Sequence, residues 1–428
     1  MRRNTAWAFA GNSIYAGCQW LVFVMLVKAL KVDQAGEFAY ATAITGPIFV
    51  LANVRLRMLL ATRIESPGGF SDYLFARLLT TGLAVFASIG IGAVVLPHVG
   101  SLSVLAIMAA GRACDAMSDL CHGLFQREMD MRTAAIGLSI NALLSVALVG
   151  IVLVLTSSLV LATTAYAIGS FVALAAWDLP RAARLDDDGG SIVFGGRLRG
   201  RWTIRSAWRL ITTGLPLGLS SAIGAVQTNV PRYVIASSLG PAMLARFAAI
   251  SYLTLVGHLV VNATSQAALP MLARDAQTPG SRYQTHLGSL VAGTFILGVF
   301  LLIAVYLLGG PTLAFVYGTD YTNYIGVLLW LIAATIITFA SVFLGTGTAA
   351  RHRFGPPFLI SATSLVVVAA STAPLVSRYG LQGAAWALVA GAIVEFSAYV
   401  ALTVRDLKTT TAAVPGVVVD AFAGGIQS

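Results

Sequence analysis

Long apolar runs, each about as long as a bilayer is thick, follow one another along almost all of the 428 residues. A helical span needs about 20 mostly apolar residues, and only short polar breaks separate these runs. Hydrophobic residues make up 57% of the sequence and charged residues 10%, against roughly 45 to 50% and about 25% in a typical soluble domain. The sequence therefore predicts an all-α polytopic membrane protein without a sizeable soluble domain.

The runs predict about twelve transmembrane helices. The first run is too long for the core of a signal peptide, so we interpret it as a retained span. Cys18, Cys114 and Cys121 all lie in apolar segments, where a cysteine is typically a small packing residue. The predicted spans are 8–30, 37–60, 73–96, 101–124, 133–156, 159–179, 210–239, 244–272, 287–310, 325–347, 357–376 and 382–404.

The positive charges predict how the chain is oriented, because segments rich in Lys and Arg stay on the cytoplasmic side. With the N-terminus inside, 21 of the 27 Lys and Arg residues lie in inner loops and helix ends, four lie on the outer side, and two lie within spans. This split predicts that both termini are cytoplasmic. The net charge of +10 then reflects topology and an affinity for anionic lipid headgroups, and nucleic acid is not an expected partner.

The one sizeable hydrophilic stretch, 181–209, is predicted to be a cytoplasmic linker. It contains Asp186–Asp188, five glycines and seven arginines. Three adjacent aspartates are more typical of a solvated loop than of a metal site when no nucleotide-binding domain surrounds them. The glycines do not form the G-x-x-x-x-G-K-[ST] pattern of a phosphate-binding loop. No metal site, no cofactor and no ATP hydrolysis are therefore expected.

A weak internal repeat predicts two lobes. A shift of 209 residues joins odd spans to odd spans, which is typical of a parallel repeat about an axis along the membrane normal. The predicted domains are an N-terminal six-helix lobe (1–180), the linker (181–209), a C-terminal six-helix lobe (210–404) and a cytoplasmic tail (405–428). The shift aligns Leu30 with Leu239, Phe38-Ala39 with Phe247-Ala248, and Asn53 with Asn262.

An ordered set of short motifs resembles the polysaccharide transporter family, the Wzx-type flippases of lipid-linked oligosaccharides within the multidrug/oligosaccharidyl-lipid/polysaccharide (MOP) exporter superfamily. The motifs are Gly36-Glu37-Phe38-Ala39, Gly46-Pro47, Asn53-Val54-Arg55-Leu56-Arg57, Asp115-Ala116-Met117-Ser118-Asp119, Gly123-Leu124-Phe125-Gln126-Arg127, Leu215-Pro216-Leu217-Gly218, Asn229-Val230-Pro231-Arg232-Tyr233, Leu269-Pro270-Met271-Leu272-Ala273 and Val316-Tyr317-Gly318. Each motif alone is weak, and the order along the whole chain is what carries the resemblance.

The resemblance implies a function in surface polysaccharide synthesis, such as exopolysaccharide or the O-antigen of lipopolysaccharide. It implies two lobes of six helices that work by alternating access in the bacterial cytoplasmic (inner) membrane. The implied substrate is an undecaprenyl-pyrophosphate-linked oligosaccharide, carried from the cytoplasmic to the periplasmic leaflet. Membrane lipids, a polymerase and other assembly proteins of the same pathway are the implied partners.

A charged stripe in the fourth span supplies the first candidate site. Arg112 lies roughly 16 Å from Ser101, counting about 1.5 Å per residue, and charges at that depth usually face a cavity or a partner. Asp115, Asp119 and His122 follow at steps of three, four and three, on the same helical face. Two interpretations stay open: Arg112 and Asp115 neutralise each other, or Arg112 binds substrate while the acidic residues or His122 couple transport to an ion or a proton.

Arg232, in the seventh span, is the second candidate. It follows Pro231, and helices interrupted by proline often line transport sites. A straight count places it about 33 Å from Leu210, near the outer interface, so snorkelling to that interface is the alternative. Gln227 and Asn229 lie just inward of Arg232 and are predicted to contact sugar hydroxyls.

Three further charged residues lie toward the inner side. Arg55 and Arg57 are candidates for the cytoplasmic entrance, where a guanidinium fork can donate two hydrogen bonds to a pyrophosphate; contact with lipid headgroups is the alternative. Glu395, in the inner half of the twelfth span, has no oppositely charged neighbour in local sequence. It is a candidate for a gate, for ion coupling, or for pairing with an arginine across the lobes.

The sequence is compatible with three functions, and the favoured hypothesis is a flippase. The alternative is a proton- or cation-coupled multidrug-type exporter of small molecules, which would use a carboxylate such as Asp115 for coupling. An enzyme of the same pathway is disfavoured, because such enzymes commonly present catalytic groups on a large outer loop and the outer loops predicted here are short. No catalytic residue is therefore expected.

Overall fold

The computed structural model describes residues 2–62, 70–96, 99–185, 204–277, 282–351 and 355–412. Within these ranges the chain is helical almost throughout and contains no strand, which confirms the predicted all-α class. A π-helical turn spans Leu174–Asp178, and a 3-10 turn spans Thr319–Tyr324. The α-helices are α1 (Arg2–Ala29), α2 (Val32–Ala52), α3 (Leu56–Thr62), α4 (Phe70–Val95), α5 (Val99–Arg127), α6 (Met131–Thr156), α7 (Leu159–Ala173), α8 (Leu179–Leu185), α9 (Ile204–Leu239), α10 (Pro241–Tyr252), α11 (Leu255–Gln277), α12 (Arg282–Tyr317), α13 (Ile325–Ala350) and α14 (Gly355–Ala412).

The predicted spans all lie on helices. Nine helical stretches within the described residues are long and apolar enough to cross a membrane. One of them, Gly355–Arg405, holds two predicted spans, because Gly380 inside α14 has φ 59° and ψ −135° and is not helical. α5, the helix that carries the predicted charged stripe, is not among these nine stretches. The eighth predicted span is divided between α10 and α11. The helices therefore agree with about twelve spans.

The predicted linker and tail are only partly described. Residues 181–185 complete α8 and residues 204–209 begin α9, so helices extend into the predicted linker from both sides. Alanine, arginine and leucine dominate 181–185, and all three are good helix formers. Residues 186–203, with the three adjacent aspartates, lie outside the described residues. α14 runs on into the predicted tail as far as Ala412, and residues 413–428 also lie outside.

The helices form two sets. Helices α1–α8, the first half, pack mainly with one another, as do α9–α14, the second half, and α2 joins the halves by packing against α9 and α10. α2 begins at Val32 and α10 at Pro241, 209 residues later, the same offset as the sequence repeat. These two helices cross so closely that a Cβ on Gly36 would lie 1.9 Å from the carbonyl oxygen of Pro241. Only glycine fits that crossing.

Apolar packing differs between the two ends of the bundle. We call the end with residues 53–55, the turn 127–131, the end of α11 at Gln277 and the start of α12 at Arg282 the basic end, and the end with the turns 29–32, 156–159 and 239–241 the far end. Near the far end one core contains residues of both halves, such as Phe23 and Phe247. Toward the basic end a core around Leu56, which includes the start of α9, is separate from a second core around Leu272 and Tyr399. The halves therefore share one core at the far end, whereas toward the basic end the start of α9 packs into the core of the first half and α11–α14 form a separate core.

Candidate substrate-binding site

A break in the eighth predicted span lies well inside the bundle. α10 ends at Tyr252 and α11 begins at Leu255, so the break is about 17 Å from the start of α10 at about 1.5 Å per residue. The backbone N–H groups of Leu253 and Thr254 donate to carbonyls three residues earlier, at 3.2 and 3.1 Å. Non-helical backbone at membrane depth is tolerated where it is buried in protein or lines a cavity. Here it borders a cavity of about 250 Å³ shared with α1.

Arg112 and Arg232 approach this break from the two halves. Arg112 belongs to α5 and Arg232 to α9, and the electrostatic interactions of both guanidinium groups include one with Tyr252. The Tyr252 ring stacks on Phe23 of α1, with ring centroids 4.9 Å apart and an angle of 30° between the planes. Arg232 lies seven residues before the end of α9 at Leu239, about 10 Å at about 1.5 Å per residue, and its Nε is buried, so it is not at the surface of the far end. Both arginines therefore lie within electrostatic range of one aromatic side chain between the halves.

Neither of these two arginines forms an ion pair within the described residues. Arg232 Nη1 donates to Asn229 Oδ1 at 3.2 Å, and Arg112 has no hydrogen-bond partner in the described part of the chain. The Nε atoms of both side chains are buried and unpartnered. Because buried polar groups nearly always have a partner, two such guanidinium groups form a site suited to an anion with several oxygens.

Asp115 lies one turn from Arg112 but is held by neutral partners. Asn141 Nδ2 donates to Asp115 Oδ1 at 2.9 Å, and the Tyr166 hydroxyl donates to Oδ2 at 3.4 Å. That hydroxyl accepts a hydrogen bond from Gln19 Nε2 at 2.9 Å. The carboxylate therefore joins α5 to α6 and α7, and it acts on Arg112 electrostatically without contacting it as an ion pair.

Asp119 binds two arginines near the basic end. Its Oδ1 lies 3.1 Å from Arg57 Nη1 and its Oδ2 lies 3.2 Å from Arg77 Nη2. The Arg77 side chain is 0% exposed and also donates to the carbonyl oxygen of Asn53 at 3.2 Å, while Arg57 Nε donates to Gln126 at 3.3 Å. We call Arg57, Arg77 and Asp119 the basic-end ion cluster. Arg57 is thus already paired in this conformation.

Arg55 links the two halves. It follows Val54 at the break between α2 and α3, and the φ angles of these residues are 51° and 45°, values that are uncommon outside glycine. Arg55 Nε donates to Ser221 Oγ of α9 at 3.0 Å. α9 passes so close that a Cβ on Gly214 would lie 2.0 Å from the Val54 carbonyl oxygen. The break is therefore held directly against the second half.

His122, the last residue of the predicted stripe, has a different partner. Its Nε2 lies 3.2 Å from Asp178 Oδ1, and both side chains are buried. Asp178 lies in the π-helical turn after α7, so this pair joins α5 to the end of the sixth predicted span. The four residues of the stripe therefore share a helical face but not a site: Arg112 interacts electrostatically with Tyr252 at the helix break, and the other three are bound to separate neighbours.

Gln227, Asn229 and Glu395 also divide into two places. Gln227 Nε2 donates to Ser364 Oγ at 2.9 Å, and its side chain interacts with the Glu395 carboxyl. Glu395 is therefore near an amide of its own half, and it forms no ion pair with any residue that the structure describes. Asn229 donates to a carbonyl one turn earlier at 2.7 Å and accepts from Arg232. Of the three, Asn229 belongs to the central arginine site.

Two important residues carry little signal in the sequence. Arg77 counts among the orientation charges, yet it lies about 10 Å inside α4, counting from Phe70, which is deeper than a headgroup contact requires. No sequence motif marks Tyr252, since the helix break that follows it, at Leu253 and Thr254, contains neither a proline nor a glycine. Within the described residues, no group of three or more His, Cys, Asp or Glu side chains is arranged to hold a metal ion.

Comparison with known proteins gives consistent matches. A family model for polysaccharide biosynthesis proteins matches residues 1–275. The capsular polysaccharide biosynthesis protein CapF of Staphylococcus aureus is 24% identical over 407 residues, which cover 93% of this chain and 98% of that protein.

Two solved structures show the same fold at low identity. One is the inward-facing conformation of a multidrug resistance MATE family transporter of the MOP superfamily, with a TM-score of 0.73, 14% identity, and coverage of 94% of this chain and 99% of that chain. The other is the lipid II flippase MurJ in an inward closed conformation, with a TM-score of 0.73, 13% identity, and coverage of 94% and 87%. The two-lobed architecture predicted from the sequence is therefore matched by proteins of this superfamily.

Proposed function

The chain belongs to the polysaccharide biosynthesis protein family, and we propose that it is a flippase for an undecaprenyl-pyrophosphate-linked oligosaccharide. It is a multi-pass membrane protein and a transporter, not an enzyme. We further propose that it lies in the bacterial inner membrane with the basic end in the cytoplasm, and that it moves its substrate from the cytoplasmic to the periplasmic leaflet. The 21 to four distribution of Lys and Arg supports that orientation.

One observation carries the proposal: Arg112 and Arg232, from opposite halves, both interact electrostatically with Tyr252, and neither forms an ion pair within the described residues. A pyrophosphate presents several oxygens and more than one negative charge, which two guanidinium forks can bind through charge-assisted hydrogen bonds. Each such bond contributes about 1.5–3 kcal/mol. Because the arginines come from opposite halves, the bound headgroup would contact both halves and respond to their relative motion.

A far end closed by one shared core, and a basic end at which α11–α14 have a core of their own, fit one state of an alternating-access cycle. In the opposite state the shared core around Phe23 and Phe247 must part, and the cores around Leu56 and Leu272 must approach each other. We propose the predicted lobes 1–180 and 210–404 as the moving bodies. The Arg55 contact with Ser221 lies at their interface near the basic end.

The remaining charged candidates fit coupling or gating in this scheme. Asp115 and Glu395 are carboxylates with neutral hydrogen-bond partners, so we propose them as sites where a proton or cation binds during the cycle. Asp119 and His122 are held in pairs with charged or titratable neighbours, which suits a gating role. A polymerase and other assembly proteins of the same pathway are the proposed partners.

A second candidate function is a proton- or cation-coupled exporter of small molecules. The observation in its favour is Asp115, a carboxylate that interacts electrostatically with Arg112 and has neutral hydrogen-bond partners, on a fold shared with a multidrug transporter. The absence of a carboxylate from direct contact with the two arginines, within the described residues, favours an anionic substrate over the cationic drugs that such an exporter would carry.

Transport by the purified protein in proteoliposomes tests the proposal. The wild type should move a fluorescent undecaprenyl-pyrophosphate-linked oligosaccharide between leaflets and should not accumulate a cationic dye. The exposed Arg378→Gln variant, at the far end, provides a control that should transport like the wild type. Dye accumulation without movement of the lipid-linked oligosaccharide would replace the flippase with the exporter.

A further inference from the structure

An apolar groove runs along the outside of the second half, between α11 and α12. These two helices contact each other little, and both pack on α13, which forms the floor of the groove. The groove has a volume of about 610 Å³. Along α12 its lining extends from Ser289 to Thr312, about 35 Å at about 1.5 Å per residue, which matches the roughly 30 Å thickness of the hydrocarbon core of a bilayer.

The lining of the groove is suited to a hydrocarbon chain and not to a polar ligand. No charged side chain lines it. All six lining hydroxyls donate to a carbonyl of their own helix segment at 2.7 or 2.8 Å, so covering them with hydrocarbon leaves no donor unsatisfied. A sugar or a phosphate would find no free donor there. The six residues are Thr254, Thr264, Ser289, Thr294, Thr312 and Thr335.

The groove is continuous with the cavity beside Tyr252. Leu253 and Val260 line both the groove and this 250 Å³ cavity. The helix break between α10 and α11 therefore connects the cavity beside Tyr252, the residue with which both central arginines interact electrostatically, to the outside of the second half. A molecule with an anionic headgroup and one long chain can place the headgroup at Arg112 and Arg232 while its chain passes the break.

We infer that this groove holds the hydrocarbon chain of the transported lipid while its headgroup occupies the central arginine site. The inference rests on the proposed function. Hydrocarbon gains little free energy on leaving a bilayer that is equally apolar, so the groove positions the chain without adding much affinity. A chain lying along α12 across the membrane would follow the headgroup as it crosses, without leaving the protein. Acyl chains of ordinary membrane lipids are the competing occupant.

Two glycines of α12 offer a matched pair of variants. A Cβ on Gly293 or on Gly288 would meet nothing within 4 Å, so leucine fits at either position without a clash at Cβ. Gly293 lines the groove and Gly288 does not. Gly293→Leu therefore fills the groove, whereas Gly288→Leu adds the same side chain to the same helix beside it.

Photo-crosslinking tests the inference with the full chain in lipid nanodiscs. The probes are an undecaprenyl pyrophosphate with a diazirine on its chain and a phosphatidylethanolamine with a diazirine on an acyl chain. The polyprenyl probe should label peptides of α11–α13 in the wild type and in Gly288→Leu. In Gly293→Leu this labelling should fall about fivefold, because the leucine side chain occupies space in the groove and displaces the polyprenyl chain into the surrounding lipid.

The outcomes separate this inference from the proposed function. Binding of the polyprenyl probe with unchanged labelling of α11–α13 in Gly293→Leu would overturn the groove and leave the flippase intact. The same holds if the phosphatidylethanolamine probe labels the groove as strongly as the polyprenyl probe. A polyprenyl probe that does not bind the wild type at all would overturn the proposed function and the groove together.

Discussion

The two arginine sites of this protein differ in one respect. In the basic-end ion cluster, Arg57 and Arg77 share Asp119, with nitrogen to oxygen distances of 3.1 and 3.2 Å. In the central site, Arg112 and Arg232 have no carboxylate partner within the described residues. Charge inside a membrane protein is costly, and a buried charge is normally paired. The presence of a carboxylate partner, and not depth in the membrane alone, therefore distinguishes an arginine that holds helices together from one that is available to bind a ligand.

The largest effect is expected from Asp119→Asn. This change leaves Arg77, which is 0% exposed, without a counter-charge, and removing one partner of a buried pair costs about 3–5 kcal/mol. The melting temperature of the purified protein in detergent should fall sharply, with Asp119→Glu as the charge-conserving control. An unchanged melting temperature would show that the ion cluster contributes nothing to stability.

Asp115→Asn should act on the central site in the opposite direction. The Asp115 carboxylate interacts electrostatically with Arg112, so its negative charge opposes the binding of an anion there. Removing it should tighten pyrophosphate binding several-fold, since one charge at short range contributes on the order of 1 kcal/mol or more near a partly solvated site. Titration calorimetry measures this; weaker binding would mean that Asp115 organises the site through Asn141 instead.

Tyr252→Phe should have a smaller effect. The phenylalanine keeps the ring that stacks on Phe23 and removes the hydroxyl that interacts with both central arginines. The hydroxyl can donate one hydrogen bond to a pyrophosphate bound at the arginines, and such a bond contributes about 0.5–1.5 kcal/mol, so pyrophosphate affinity should fall by about two- to tenfold. Binding as tight as in the wild type would remove the hydroxyl from the site and leave Tyr252 as a packing residue.

Arg57→Gln should change least. Its side chain is 30% exposed, and a partly exposed ion pair contributes about 0–1 kcal/mol. Because Arg57 is already paired with Asp119, pyrophosphate affinity should stay the same. A marked loss of affinity in this variant would instead support the predicted role of Arg57 at the cytoplasmic entrance and would weaken the contrast between the two sites.

The parts of the structure that could be predicted are those set by local sequence. The length of the apolar runs locates the helices. The spacing of Arg112, Asp115, Asp119 and His122 places these four side chains on one face of α5. Their partners could not be predicted, because Asn141, Arg77 and Asp178 come from other helices. No spacing rule connects residues that distant in sequence.

The position of Arg232 shows a second limit of sequence reasoning. Counting residues from one end of a helix gives the depth of a residue in the membrane only when the helix is about as long as the membrane is thick. α9 has 36 residues, about 54 Å at about 1.5 Å per residue, against a hydrocarbon core of about 30 Å. The electrostatic interaction with Tyr252, in another helix, is what places Arg232 near the central site.

Binding of inorganic pyrophosphate to the protein in nanodiscs tests the central claim most directly. Arg112→Gln and Arg232→Gln should each weaken binding by about 10- to 100-fold, the equivalent of a charge-assisted hydrogen bond of about 1.5–3 kcal/mol. Neither variant should lower the melting temperature, because neither side chain is in an ion pair within the described residues. Unchanged affinity in both variants, or a loss of stability as large as that of Asp119→Asn, would contradict the assignment of these two arginines to the substrate.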